Sequence, residues 1–390
     1  MQKTSPENLL TWAEIDLEAI AHNVKAVKAH LGPEVSVMAV VKANAYGHGA
    51  VPVARTALAA GADWLAVNRV EEGAALRQAG VRARILVLGY CPPAQATAVV
   101  EERLTPAVTT LETATALADR TRLSSRPLPI HLKVDTGMGR FGLLPEEVVD
   151  FARALQNLPS LQLEGIFSHF AVADEADTTF SRQQIQSYRE VIAAVEAAGI
   201  NLPLKHLANS AAALVLPNAR YHLVRLGIAM YGLPPSNEIK WPVGLRPAMT
   251  LKTRIARLRI LPAGASIGYG RTYVTPAPTP IALAPIGYGD GYPRLCSNRG
   301  AMLVRGQRAP VVGRVSMDQT SLDVSDIDQV TQDDEVVVFG RQGEAEITAD
   351  EVAMWAETIN YEIVTRLAAR VPRIYLGDAD HRRAQARLTT

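Results

Sequence analysis

The chain is poor in cysteine: Cys91 and Cys296 are its two, far apart and in no metal-ligand spacing. That argues against a disulfide framework and leads us to expect a reducing, cytoplasmic setting and no metal centre. It has no surplus of either charge sign. A formal net charge of +1 gives no general attraction to nucleic acid or to an anionic membrane. No segment approaches the ~20 consecutive apolar residues that span a bilayer, and Met1–Pro6 has no signal-peptide core. There is no low-complexity tract and no repeat beyond an alternation of strand and helix patterns. A Gly-x-Gly-x-x-Gly turn after the first strand is also missing, which weakens the case for a dinucleotide-binding open sheet. What is present is ordinary globular composition, 48% hydrophobic and 20% charged, in 390 residues, long enough for one large domain and a smaller one.

Asp16 can cap a helix in which Leu17, Ile20, Val24, Val27 and Leu31 recur at helical spacing. Short apolar runs then alternate with amphipathic stretches. The runs predict strands at Val35–Val41, Trp64–Val67, Ile85–Leu88, Pro106–Val108, Ile130–Val134, Leu163–Phe167, Leu204–Leu207 and Leu223–Leu226. One helix is expected from Pro145, a good first-turn residue, and another carries Ile185, Tyr188, Ile192 and Val195 on one face. About eight β/α units in roughly 200 residues is the size of a (β/α)8 barrel of the TIM type, expected over residues 12–245. A doubly wound α/β sheet is the alternative. Composition changes near Trp241–Pro247. The segments Leu251–Ile260, Ile281–Ile286, Met302–Arg305, Val311–Val315 and Glu335–Phe339 then predict a smaller, mostly β domain over residues 246–390, with residues 1–11 packing against it. Thr348 and Glu351 form a capping-box pattern for a closing helix.

In a barrel, the C-terminal ends of the strands form the active site. Lys42 ends the first predicted strand and enters the Gly-rich turn Ala43-Asn44-Ala45-Tyr46-Gly47-His48-Gly49. An amine held there is partly desolvated, and nearby cations lower its pKa further, which is what a Schiff-base lysine needs. Lys133 and Asp135 end the fifth strand, His169 follows the sixth, Asn209 and Ser210 follow the seventh, and Arg225 ends the eighth. The strand pattern alone brings these polar residues to one mouth.

The segments around Lys42, Lys133-Val134-Asp135-Thr136-Gly137-Met138-Gly139-Arg140, Ser168-His169 and Ala208-Asn209-Ser210-Ala211 together resemble the alanine racemase family. So do Arg225-Leu226-Gly227-Ile228, Gly268-Tyr269-Gly270-Arg271-Thr272, Ile286-Gly287-Tyr288-Gly289-Asp290-Gly291, Val315-Ser316-Met317-Asp318-Gln319 and Asn360-Tyr361-Glu362. The matches run in order along essentially the whole chain. The resemblance implies a pyridoxal 5'-phosphate enzyme interconverting L- and D-alanine and feeding cell-wall (peptidoglycan) synthesis. It implies that Lys42 carries the cofactor and serves as the base on one face of the substrate α-carbon. Tyr269, from the partner subunit of a homodimer, serves the other. A tyrosine needs cations nearby to act as a base.

By the same resemblance Arg225 faces the cofactor ring nitrogen, and an arginine can only donate there. Tyr46, Ser210, the amides of Gly227 and Ile228, and Tyr361 are implied around the phosphate, with Asn209 beside Ser210. Arg140 and the Met317 amide are implied at the substrate carboxylate, with Tyr288 beside Met317. His169 and His206 are implied as supports for the ring and for Arg225. Lys133 matches a lysine often carbamylated in the family; a plain Lys133 paired with Asp135 or with solvent stays open. One departure is Ser316, where many family members carry cysteine. A racemase of broader amino-acid range, and a non-catalytic carrier of the cofactor, are the competing readings. The segments after about Leu245 argue against the carrier.

Overall fold

The computed structural model describes residues 8–377 and separates them into two compact units. One, the barrel unit, comprises Ala19–Ala45 and Ala50–Arg246; the other, the β-rich unit, gathers the described residues up to Glu18, Tyr46–Gly49 and those from Pro247 on.

The barrel unit holds eight parallel strands: β2 (Ser36–Val40), β3 (Trp64–Val67), β4 (Arg84–Val87), β5 (Thr105–Val108), β6 (Leu128–Lys133), β7 (Leu161–Phe167), β8 (Leu204–His206) and β9 (Leu223–Leu226). Their order is β8-β7-β6-β5-β4-β3-β2-β9. Between β8 and β9 single backbone bonds close the ring, from His222 N to Lys205 O (3.2 Å) and from Arg225 N to Ala208 O (3.0 Å). Both faces of these strands are covered, which explains runs such as the fully buried Trp64–Val67 instead of alternation. Helices pack outside. Thr179–Ala197 turns Ile185, Tyr188, Val191, Ile192 and Val195 inward, and the Tyr188 hydroxyl donates to Ile166 O at 2.7 Å. A 3₁₀ turn at Pro145–Glu147 leads into the helix Val148–Leu155, as the proline position predicts.

The β-rich unit begins with β1 (Thr11–Asp16), residues that the sequence reading assigned from position 12 to the barrel. The strand instead lies between β10 (Met249–Arg254), antiparallel, and β20 (Arg373–Leu376), parallel. Trp12, Ala13 and Ile15 are buried in that sheet, so the first apolar run of the chain has its partners at the far end of the sequence. Of the N-terminal segment expected to pack here, residues 1–7 lie outside the described residues, as do residues 378–390. The predicted strand Leu251–Ile260 is two, β10 and β11 (Arg257–Leu261). Next come β12 (Ser266–Ile267), β13 (Tyr273–Val274), β14 (Thr279–Ala284), β15 (Ala301–Val304), β16 (Gln307–Pro310), β17 (Thr320–Asp323), β18 (Glu335–Gln342) and β19 (Ala345–Ile347). Val311–Val315 forms no strand beyond one bridge from Val311 to Leu322. The Thr348 hydroxyl caps Ala349–Trp355, accepting from Glu351 N at 3.1 Å.

Candidate active site

Lys42 sits two residues beyond β2, at the strand end expected of it. After it the backbone turns left-handed for four residues: Ala43, Asn44, Ala45 and Tyr46 all have φ of 51–53°. An L-residue in this region costs roughly 1–2 kcal/mol, so a run of four must be held by its surroundings. The holding bonds are visible. Ala45 N donates to Val41 O (2.9 Å), Ala43 N to the Glu72 carboxylate (2.6 Å), and Ala50 N to Asn44 Oδ1 (2.9 Å). The turn fixes the direction in which Lys42 leaves the barrel. Burial, with Arg140 and Arg225 nearby, lowers the Lys42 pKa below the ordinary lysine value, against the opposing pull of Glu72.

Arg225 lies on β9 in register with Met38 of β2 and is almost fully buried. Its acceptors are all neutral: Ser168 O (2.7 Å), Leu207 O (2.9 Å), His206 O (3.2 Å), His206 Nδ1 (3.0 Å) and His169 Nδ1 (3.1 Å). Burial pushes its pKa down to about 10. His169 and His206 are held well below the ordinary histidine value, first by burial, so both rings are neutral. The Phe167 ring stacks on His206 at 4.8 Å with an interplanar angle of 6°.

Lys133, at the end of β6, is buried; burial and the charge of Arg225 push its pKa down to about 7. Its amine donates to Val134 O at 3.2 Å. Asp135, the partner considered for it, is engaged elsewhere. The two carboxylate oxygens accept from the amides of Gly137, Met138, Gly139 and Arg140 at 2.8–3.1 Å. These bonds outweigh burial and hold Asp135 below the usual carboxylate range. They also fold the loop that presents Arg140, which is exposed.

Asn209 caps the helix Ser210–Val215, accepting from Ala212 N at 3.0 Å. Ser210 Oγ accepts from Gly227 N (2.8 Å) and Ala229 N (3.4 Å), which ties the loop after β8 to the loop after β9. Ile228 follows at the start of the 3₁₀ turn Ile228–Tyr231.

In the β-rich unit the Tyr46 and Tyr361 rings stand 6.3 Å apart, and burial pushes the Tyr46 phenol up to about 12. Tyr269 is 71% exposed on the tight turn between β12 and β13. Gly268 and Gly270 beside it both have φ of 71°, and a Cβ on Gly270 would meet the Arg314 guanidinium at 3.1 Å. Tyr288 and Met317 are also exposed. Their segments cross through bonds from Tyr288 N to Ser316 O (3.1 Å) and from Gly289 N to Met317 O (2.8 Å). Arg370 links them from the side, pairing with Asp290 (2.8 Å) and Asp318 (2.6 Å).

Lys42, Lys133, His169, His206, Asn209, Ser210, Arg225, Gly227 and Ile228 thus all lie at or just past the C-terminal ends of the barrel strands. Sequence reasoning missed Glu72, which braces the turn after Lys42, and Arg314, which braces the Tyr269 turn. It also missed His131 of β6, whose Nδ1 lies 2.9 Å from His206 Nε2. A histidine inside the apolar run Leu128–Leu132 was the available signal.

Residues 15–235 match the family model for the N-terminal domain of alanine racemase, and residues 248–375 match that for its C-terminal domain. The alanine racemase of Symbiobacterium thermophilum is 50% identical over 368 residues, covering 94% of this chain and 97% of that protein. The crystal structure of alanine racemase from D-cycloserine-producing Streptomyces lavendulae superposes with a TM-score of 0.92 at 41% identity, covering 97% of this chain and 99% of that one. That of alanine racemase from Bacillus anthracis with bound L-Ala-P gives 0.91 at 40% identity, with 96% and 97% covered.

Proposed function

The chain belongs to the alanine racemase family, the pyridoxal-phosphate-dependent isomerases with this barrel and β-rich unit, and from that premise we propose that it interconverts L- and D-alanine by a two-base mechanism. The observation that carries the reading is Lys42: an amine at the mouth of the barrel, on a strained turn, with its pKa depressed by burial and by neighbouring arginines. The residues present fit the cofactor. A depressed amine suits an aldehyde. The Ser210 hydroxyl, its oxygen held by the Gly227 and Ala229 amides, and the cations of Arg140 and Arg225 suit an anionic, phosphorylated ring.

When bound, pyridoxal phosphate supplies a conjugated system that delocalises the electron pair left on the α-carbon. The chain supplies the rest. Lys42 Nζ holds or releases a proton on one face of that carbon, and Tyr269 Oη does so on the other. Two bases on opposite faces invert the centre without moving the substrate. Arg225 would donate to the ring nitrogen of the bound cofactor, and because a guanidinium has no lone pair to offer, that nitrogen would stay unprotonated and the electron sink would be weak, which would limit side reactions. Tyr46, Ser210, Asn209, Gly227, Ile228 and Tyr361 hold the phosphate end, and His169 supports the ring. Arg140, with the Met317 amide and Tyr288, binds the substrate carboxylate.

Tyr269, Tyr288 and Met317 are exposed on their own unit, which supports the reading that they serve the site of a second copy in a homodimer with two shared sites. The D-alanine feeds cell-wall synthesis, and the two buried cysteines, both free thiols, suit the cytoplasm.

The test is exchange of the α-proton of L- and of D-alanine in heavy water, with borohydride reduction to locate the cofactor. Exchange of both enantiomers and a cofactor fixed on Lys42 is the expected result. Bound cofactor without exchange would reduce the chain to a carrier, and a fully active monomer in sedimentation would remove the shared site.

A further inference from the structure

A line of polar side chains leaves Arg225 and runs through the barrel interior away from the mouth. Arg225 Nη1 lies 3.0 Å from His206 Nδ1, His206 Nε2 lies 2.9 Å from His131 Nδ1, and His131 Nε2 lies 3.4 Å from Glu164 Oε2. The last distance is long for a hydrogen bond and within ion-pair reach. Glu164 in turn pairs with Arg84, whose guanidinium lies over the Trp64 ring at 3.9 Å.

The backbone is shaped to make this line. Along β6 and β7, Ile130 pairs with Leu163 and His131 with Gly165, so Glu164 is the extra residue of a β-bulge. A bulge re-aims a side chain, and here it brings a carboxylate to a wholly buried histidine ring. Gly165 then leaves the space that the ring fills: a Cβ there would lie 2.8–2.9 Å from three His131 ring atoms.

Proton placement along the line follows from one end. Arg225 can only donate, so His206 Nδ1 accepts and a neutral His206 carries its proton on Nε2. That N–H meets His131 Nδ1, which must accept, so a neutral His131 carries its proton on Nε2, facing the carboxylate. Burial keeps His131 neutral as it does His206, and His131 and Arg84 hold Glu164 ionised against its own burial. Any other tautomer sets two N–H groups against each other. A carboxylate at the far end makes each ring a stronger acceptor for the donor before it.

We propose that Glu164 is a positioning residue: through His131 and His206, in the tautomers that Arg225 sets, it strengthens the acceptor that Arg225 meets. Its effect on the reaction rests on the reading that Arg225 faces the cofactor ring nitrogen; the tautomers do not. A carboxylate that commonly stands beside a ring nitrogen is here two imidazoles away, acting through a relay.

Long-range proton–nitrogen spectra of the full-length, cofactor-bound protein read the tautomers directly. The expected result is two coupled histidines, each protonated at Nε2 and bare at Nδ1. In Glu164→Gln the ring signals of both should shift together, the visible absorption of the cofactor should move, and kcat/KM should fall about tenfold, the scale of losing an outer partner of an active-site group. Glu164→Asp, which keeps the charge, should recover part of both the absorption and the rate. A proton on Nδ1 of either ring, or a Gln variant altered in unfolding midpoint while its His206 signals, absorption and rate stay put, would overturn the proposal. A chain with the expected tautomers but no α-proton exchange would remove the function reading and with it the kinetic role, leaving the relay as structure alone.

Discussion

Tyr269 stands on a turn held open by two glycines and backed by Arg314, with its phenol in solvent on its own unit. In the proposed mechanism it serves one face of the substrate only. In Tyr269→Phe, α-proton exchange should fall by about 100-fold or more for one enantiomer, within the range for loss of a general base, while the enantiomer served by Lys42 keeps exchanging. Equal rates for both would show that a single base serves both faces. Lys133 gives a second residue-level expectation. With its pKa pushed down to about 7 and no carboxylate among the described residues bonded to it, a large share of the amine is neutral near pH 7. A neutral amine adds carbon dioxide and releases one proton, giving a carbamate anion beside Arg140 and Arg225. Carbon NMR after exposure to labelled bicarbonate should show a carbamate signal that disappears in Lys133→Ala; an unchanged spectrum would leave Lys133 a plain amine.

Among the elements, the left-handed turn Ala43–Tyr46 has a measurable cost. Ala43 is exposed and has φ of 52°, so Ala43→Gly removes an unfavourable conformation without emptying any core space. Relief of roughly 1–2 kcal/mol, less the ~0.4–1 kcal/mol by which glycine loosens the unfolded chain, leaves a gain of up to about 1.6 kcal/mol, read as a higher urea midpoint. A loss of stability would mean that the methyl group makes contacts worth more than the strain. This turn was invisible in the sequence, because Ala-Asn-Ala is not a left-handed signature and only the surrounding bonds impose it. The eight barrel strands were legible to within two residues at each end, since strands buried on both faces leave continuous apolar runs. The polar strands β16 and β19 were not, nor was β1, because its partners are set by pairing across the length of the chain. The mouth residues were legible because strand ends announce themselves. Glu164 was not: a bulge that turns a glutamate inward has no mark in a sequence whose strand alternation would place it otherwise.

For the molecule as a whole, His131, His169 and His206 are three rings kept neutral by burial. Their pKa values in the folded state lie below 6.5, the ordinary value recovered on unfolding. The unfolded chain therefore binds more protons below that pH, and stability falls as pH drops through about 6.5 toward the folded values; above 6.5 the penalty is absent. Each ring adds about 1.4 kcal/mol per pH unit to the slope. The ionised Asp135 and Glu164 add to the loss only further down, where unfolded carboxylates take protons. Urea unfolding at fixed salt should show a midpoint that falls steeply below about pH 6, and that climbs further above neutrality, where the unfolded chain keeps on Lys133 and Lys42 the protons that their buried amines have released. A midpoint constant down to the carboxylate range would mean that the rings are charged in the fold.

The position of β1 also has a meaning in time. The Thr11 hydroxyl reaches its partner on Thr253 across 242 residues, and the other neighbour, β20, comes still later. At ~5–20 residues per second of synthesis, this strand waits roughly 12–50 s for its first partner, with Trp12 and Ile15 bare. During that interval it is an open edge available to any other extended chain. The translating ribosome, rather than the finished fold, is where this molecule is most exposed to misassembly.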